Sequence, residues 1–152
     1  VNPNDPSFTA PGDMPGRIAA YCQKTGQPVP ETPGQILRTA LESLALRYRQ
    51  TIDELEQITH RPITVLHLVG GGCKNELLNQ FTADAIRRQV VTGPTEATAL
   101  GNIACQAIAT GDIKDLQAAR AIIAASTETV AYAPKADAKP WEDAYKRFLQ
   151  LP

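Results

Sequence analysis

Apolar residues recur at three- and four-residue intervals along the first half of the chain, at Ile36, Leu37, Ala40, Leu41, Leu44, Ala45, Ile52, Leu55 and Ile58. That is the period of one face of an α-helix. Thr32-Pro33-Gly34-Gln35 stands in front of the run as a helix start. Thr32 serves as cap, Pro33 suits the first helical position, and Gln35 sits where a capping box returns its hydrogen bond. His60 and Arg61 fall at the negative end of the helix dipole and Pro62 stops the chain. The pattern therefore predicts a helix from Pro33 to about Thr59, roughly 40 Å long at about 1.5 Å per residue.

The period changes after Pro62. Residues 63–69 are a β-branched, apolar strand, and Gly70-Gly71-Gly72 follows at once. A helix is predicted from about Asn75 to Arg88, with Leu77, Leu78, Phe81, Ala85 and Ile86 as its buried stripe. Gln89–Thr92 reads as a short strand ended by Gly93-Pro94. Thr95 is expected to cap a helix from Glu96 to Thr110, which carries the small residues Ala97, Gly101, Ala104 and Ala107 on neighbouring turns and closes at Gly111. Small residues at that spacing permit close helix packing. Asp115 can cap a helix over 116–125, residues 127–132 look extended, and Trp141, Tyr145 and Phe148 form an aromatic docking stripe on a terminal helix. Before the long helix, Pro15 to Lys24 can make a short helix with Ile18 and Tyr21-Cys22 on one side. The order helix, strand, glycine loop, helix, strand, helix describes part of a layered α/β domain, rich in helix with few strands.

Composition narrows the classes. With 152 residues, 43% of them apolar, the chain is long enough for a real core. Fifteen Lys and Arg against 16 Asp and Glu, without a run of either sign, give no sign of nucleic acid or an anionic membrane as partner. No apolar run approaches the ~20 residues that span a bilayer. Cys22, Cys73 and Cys105 are too scattered, and His67 and His60 too few, for a zinc site or disulfide framework; a reducing cytoplasm fits best. Prolines at 3, 6, 11, 15, 28, 30 and 33 mark residues 1–33 as a connecting segment with one short helix. Because the chain opens Val1-Asn2-Pro3 without an initiator Met, it is read as the C-terminal piece of a longer polypeptide.

The candidate chemistry lies at the three glycines. Strands end in glycine runs where the backbone turns tightly with no side chain in the way, often so that a ligand can lie against it. The next helix start offers N–H groups and a positive dipole end. On spacing alone the loop is equally a plain strand-to-helix turn. It is not a Walker A loop, because no Gly-Lys-Ser/Thr closes it, and Asn75 stands where the third glycine of G-x-G-x-x-G belongs. Asn75 is open to two readings, helix cap or ligand contact. Cys73 is expected to be a small packed residue, His67 to be packed or paired within the strand, and Glu96 and Asn102 to be structural.

Four stretches together carry a resemblance. They are Asn2-Pro3-Asn4-Asp5-Pro6-Ser7-Phe8 with Asp13-Met14-Pro15 and Tyr21-Cys22; Leu41-Glu42-Ser43-Leu44-Ala45-Leu46; His67 to Asn75 with Leu77-Leu78-Asn79-Gln80; and Gly93-Pro94-Thr95-Glu96-Ala97-Thr98-Ala99-Leu100-Gly101-Asn102. Over about residues 2–112 the sequence resembles the FGGY family of carbohydrate kinases. The last two stretches mark the family; the first two point to one branch of it, whose substrate is the ketose L-rhamnulose.

The resemblance implies a partial actin-like (RNase H-like) ATPase domain over residues 34–152, the nucleotide-binding C-terminal part of a two-domain kinase. It implies ATP or ADP as ligand, with Mg²⁺ carried by the nucleotide phosphates and a ketose sugar held mainly by the other domain. Carried over residue by residue, Gly70, Gly71 and Gly72 lie against the nucleotide and Asn75 reaches the adenine. An Asn amide has both a donor and an acceptor for the adenine edge. No catalytic residue is expected here, because the family's catalytic Asp and phosphate loop lie upstream of the stretches matched. Asp5, Asp53, Asp84 and Asp112 read as turn, cap or surface residues, and the isolated chain is expected to be inactive. Some kinases of this branch pair the cysteine matching Cys22 with one in the long helix, where this chain has Arg38-Thr39-Ala40. The alternatives are a kinase for another sugar (xylulose, fuculose or glycerol) and a non-catalytic nucleotide-binding or interaction module.

Overall fold

The capping box at Thr32 sets the start of the longest element. In the computed structural model, which describes residues 1–135 and 137–152, Thr32 Oγ1 accepts from the Gln35 amide at 3.3 Å and Gln35 Oε1 accepts from the Thr32 amide at 3.1 Å. Helix α2 then runs from Pro33 to Thr59 and ends on His60, whose left-handed backbone (φ 53°) turns the chain out of the helix. Before it lies α1 (Met14–Lys24), and after it come β1 (Val65–Leu68), α3 (Glu76–Ile86), β2 (Gln89–Thr92), α4 (Ala97–Thr110), α5 (Leu116–Ser126), β3 (Ala131–Tyr132) and α6 (Ala138–Phe148).

The three strands form one sheet in the order β1-β2-β3. Strands β1 and β2 are parallel, with Val65 opposite Gln89 and Leu68 opposite Thr92, and α3 makes the crossover between them. Strand β3 returns antiparallel, Tyr132 opposite Val90. A parallel pair needs such a crossover, because its two strands cannot be joined by a tight turn.

Helix α2 serves as the common beam for three apolar clusters along its length. Near its start, Ile36 and Ala40 pack against Val1, Ile18, Tyr21 and Cys22, which ties α1 and the proline-rich segment to the helix. In the middle, Ala45 and Leu46 meet Ala85 of α3 and the Trp141, Tyr145 and Phe148 stripe of α6. Further on, Ile52 packs with Ala83, Ile86 and Val90, against the sheet. The aromatic stripe thus docks as its spacing predicts. Cys22 is buried and makes no disulfide, and burial pushes its thiol above its ordinary range.

Several local expectations are corrected. Leu77 is 49% exposed, and its place in the buried face of α3 is taken by Asn79, Thr82 and Ala83. Leu37, Leu55 and Ile58, on the predicted stripe of α2, are also exposed, because no element covers the helix there. His67 points to solvent rather than into the packing. The residue before α4 is Glu96, which makes no side-chain cap, and Thr95 lies one position outside. A Cβ added at Gly101 would meet nothing within 4 Å, so the small residues of α4 do not bring a neighbour close at that turn. Asp84 is buried, not a surface residue: its carboxylate accepts from the Lys135 amide at 2.7 Å and holds the segment after β3.

Candidate functional site

The parallel pairing brings the C-terminal ends of β1 and β2 side by side, and the two loops that leave them are bonded to each other. The Gly93 amide donates to Leu68 O at 2.7 Å, and the Gly70 amide donates to Pro94 O at 2.9 Å. Two glycines make this approach possible. Gly70 sits at φ 86°, ψ −174°, a conformation that side chains other than glycine's resist. At Gly93 an added Cβ would stand 2.9 Å from Val69 Cγ1.

Beyond Gly70 the chain makes a single 3₁₀ turn over Gly71–Lys74, which the sequence pattern does not announce. The Cys73 amide closes it onto Gly70 O at 3.1 Å, and the Asn75 amide bonds Gly72 O at 3.2 Å. Gly71 and Gly72 are exposed, and a Cβ at either would meet no atom within 4 Å. The backbone there presents an open face with no protein atom over it. Cys73 is the one inward residue of the turn, its thiol 3.6 Å from Gly93 O, as a small packed residue should be.

Asn75 caps α3: its Oδ1 accepts from the Leu78 amide at 3.0 Å. The cap occupies one acceptor position of an exposed residue and makes no use of the Nδ2 donor. Below the turn, Asn79 is fully buried and its Nδ2 donates to Cys73 O at 2.8 Å. Periodicity could not single it out, because an Asn inside a helix reads as a solvent position. Beside the loop pair, an open cavity of about 300 Å³ is lined by Gly93, Pro94, Thr95, Glu96, Leu100 and the Thr127–Glu128 segment. The four sequence-predicted residues Gly70, Gly71, Gly72 and Asn75 therefore lie on one continuous surface at the sheet's C-terminal edge. Among the described residues no group of three or more His, Cys, Asp or Glu is placed to hold a metal ion. Among the described residues no helix is long and apolar enough to cross a membrane.

Comparison with known proteins gives the family and the fold. The sequence profile of the FGGY family of carbohydrate kinases, C-terminal domain, matches residues 1–110. Rhamnulokinase of Bacteroides thetaiotaomicron is 49% identical over 97% of this chain and 30% of its own length. Rhamnulokinase of Enterococcus faecalis is 44% identical over 99% of the chain and 31% of its own length. The chain thus spans about a third of the curated relatives it matches. Among solved structures, xylulose kinase from Rhodospirillum rubrum superposes with a TM-score of 0.65 over 83% of this chain and 25% of its own, at 27% identity. Plasmodium falciparum glycerol kinase, solved with ADP, superposes at 0.62 over 76% of this chain and 23% of its own, and at 21% identity it shows the fold alone. These are actin-like ATPase folds, in keeping with the helix-rich α/β architecture described above. By sequence and by fold, the chain belongs to the FGGY family of carbohydrate kinases.

Proposed function

We propose that this chain is the adenine-nucleotide-binding part of an ATP-dependent sugar kinase, a rhamnulokinase, whose whole polypeptide transfers the γ-phosphate of ATP to L-rhamnulose in the cytoplasm. The observation that carries the reading is the bare backbone face at Gly71 and Gly72, edged by Asn75 and braced from behind by the Gly70–Pro94 and Gly93–Leu68 bonds. A flat nucleoside can lie against such a face, because no side chain intervenes. Asn75 then offers its Nδ2 donor to the adenine edge while Oδ1 keeps the cap. The rhamnulokinase relatives supply the substrate class.

The chain by itself is inactive in this reading. Six of its eight aspartates are engaged in holding structure: Asp5, Asp13, Asp115 and Asp137 cap turns or helices, Asp53 accepts from Tyr145 Oη, and Asp84 holds Lys135. Phosphoryl transfer depends on a positioned base and on charge stabilisation around phosphates and metal. Mg²⁺ would arrive on the nucleotide phosphates rather than on side chains of this chain.

The test is an NMR titration of the chain with ADP, repeated with Asn75→Ala. Saturable shifts centred on Gly70 to Asn75, weakened by the substitution, are the expected result. Absence of shifts at millimolar ADP would leave the loop a plain turn. Rapid ADP production from ATP, Mg²⁺ and L-rhamnulose by the isolated chain would contradict the proposed inactivity.

A further inference from the structure

We propose that Asn79 is a positioning residue of the glycine turn, its side-chain amide clamping the Cys73 carbonyl so that the exposed face of Gly71 and Gly72 keeps one orientation toward a bound nucleotide. The inference rests on the nucleotide reading of that turn.

Asn79 lies one helical turn after Asn75, on the inner side of α3, and is fully buried. Its two side-chain atoms fare differently. Nδ2 donates to Cys73 O at 2.8 Å, whereas Oδ1 has no hydrogen-bond partner among the described residues. A buried acceptor without a partner is a standing cost, and Asn is also a poor residue for a helix interior. An apolar residue of similar size would fill the space with nothing left unpaired. What the amide supplies, and such a residue would not, is the bond to Cys73 O.

That carbonyl is the exit of the 3₁₀ turn. Cys73 N–H is already bonded to Gly70 O, so Asn79 continues a line of bonds that starts at the end of β1 and finishes inside α3. Asn75 grips the start of α3 through Leu78 N–H, and Asn79 grips the turn ahead of it. The two asparagines hold the loop from opposite sides, one exposed and available to a ligand, the other buried and out of reach. With the clamp removed, the turn is left with its own backbone bonds and the Cys73 thiol contact, and Gly71 and Gly72, which have no side chains to pack, are free to tilt.

The experiment compares the unaltered chain with Asn79→Leu, which keeps the branched heavy-atom shape, adds some bulk and removes the donor. Amide hydrogen exchange at Cys73 and Asn75 is measured against Val90 in the core, and ADP affinity is measured by titration. The expected result is roughly tenfold faster exchange at Cys73 and Asn75 with Val90 unchanged, and an ADP affinity lower by roughly tenfold. A merely structural role would accelerate Val90 as well. If Asn79→Leu does not fold, the unaltered chain still decides: slow exchange of one Asn79 Nδ2 proton supports the clamp, and exchange at the free-amide rate overturns it. If the unaltered chain binds ADP and Asn79→Leu binds it equally well, the proposal fails and the nucleotide reading stands. If the unaltered chain gives no ADP shifts, the nucleotide reading fails and the positioning role falls with it.

Discussion

Neighbouring glycines in the loop do different work, and substitution separates them. Gly70 carries the positive φ, so Gly70→Ala strains the backbone by about 1–3 kcal/mol, a loss that urea denaturation will read. Gly71 has no positive φ and open space where a Cβ would go. Gly71→Ala should therefore change stability by less than about 0.5 kcal/mol. Its methyl group nevertheless stands on the bare face, so ADP affinity should fall while the urea midpoint stays. Equal ADP affinity in the two proteins would show that the nucleotide does not lie there. The turn from β1 through the three glycines to a helix starting at Asn75 was legible in the sequence, whereas a nucleotide against it came only from the family resemblance. The 3₁₀ turn and the inward Asn79 were not legible, since both depend on bonds to backbone carbonyls, which leave no mark in the pattern of apolar positions.

At the scale of elements, helix ends and strands were legible wherever local chemistry fixes them. The Thr32 box, the Pro62 stop and the Gln89–Thr92 strand stand where the sequence places them. What escaped were choices made by tertiary contacts, such as the exposure of Leu77 and Ile58, because periodicity tells which face is apolar and not which neighbour covers it. Removing the box with Thr32→Ala should cost about 1 kcal/mol, seen as a lower melting temperature. The terminal helix is held by a polar latch as well as by its aromatic stripe. Arg49 makes paired 2.9 Å bonds to Glu142 and lies 4.1 Å above the Tyr145 ring, while Tyr145 Oη donates to Asp53 at 2.7 Å. The bond from Arg49 holds the Glu142 carboxyl below its ordinary 4.5. Its contribution is present above that value and is lost as pH falls below it. Burial, and then the bond to Asp53, raises Tyr145 above 10.0, so its contribution is complete below that pH and is lost as pH rises beyond it. Tyr145→Phe should lower stability by about 1–2 kcal/mol at neutral pH and flatten the alkaline fall; an unchanged alkaline limb in a melting series would refute the latch.

For the molecule as a whole, the exposed area is 9730 Å². Surface scaling gives about 7,500 Å² for a compact monomer of this mass. The excess includes apolar side chains on α2, α4 and α5, among them Ile58, Ile103 and Ile122. The isolated chain should therefore bind a hydrophobic dye and show an apparent mass that rises with concentration in sedimentation. A dye-silent, concentration-independent monomer would mean that this surface folds down in solution. Helices α4 and α5 pack chiefly on each other. Regions with few packed neighbours open first, so their amides should exchange sooner than those of α3.

The paired bonds between the loops, Gly93 to Leu68 and Gly70 to Pro94, have a consequence for how this pair of helices behaves. They make the glycine turn and the entrance to α4 one mechanical piece, so whatever quiets one end quiets the other. Thermodynamic linkage then runs in both directions. If a ligand on the turn slows the opening of α4 and α5 by some factor, holding those helices still must tighten the ligand by the same free energy. A disulfide or cross-link between α4 and α5, outside the glycine turn, becomes a means of tuning affinity at it.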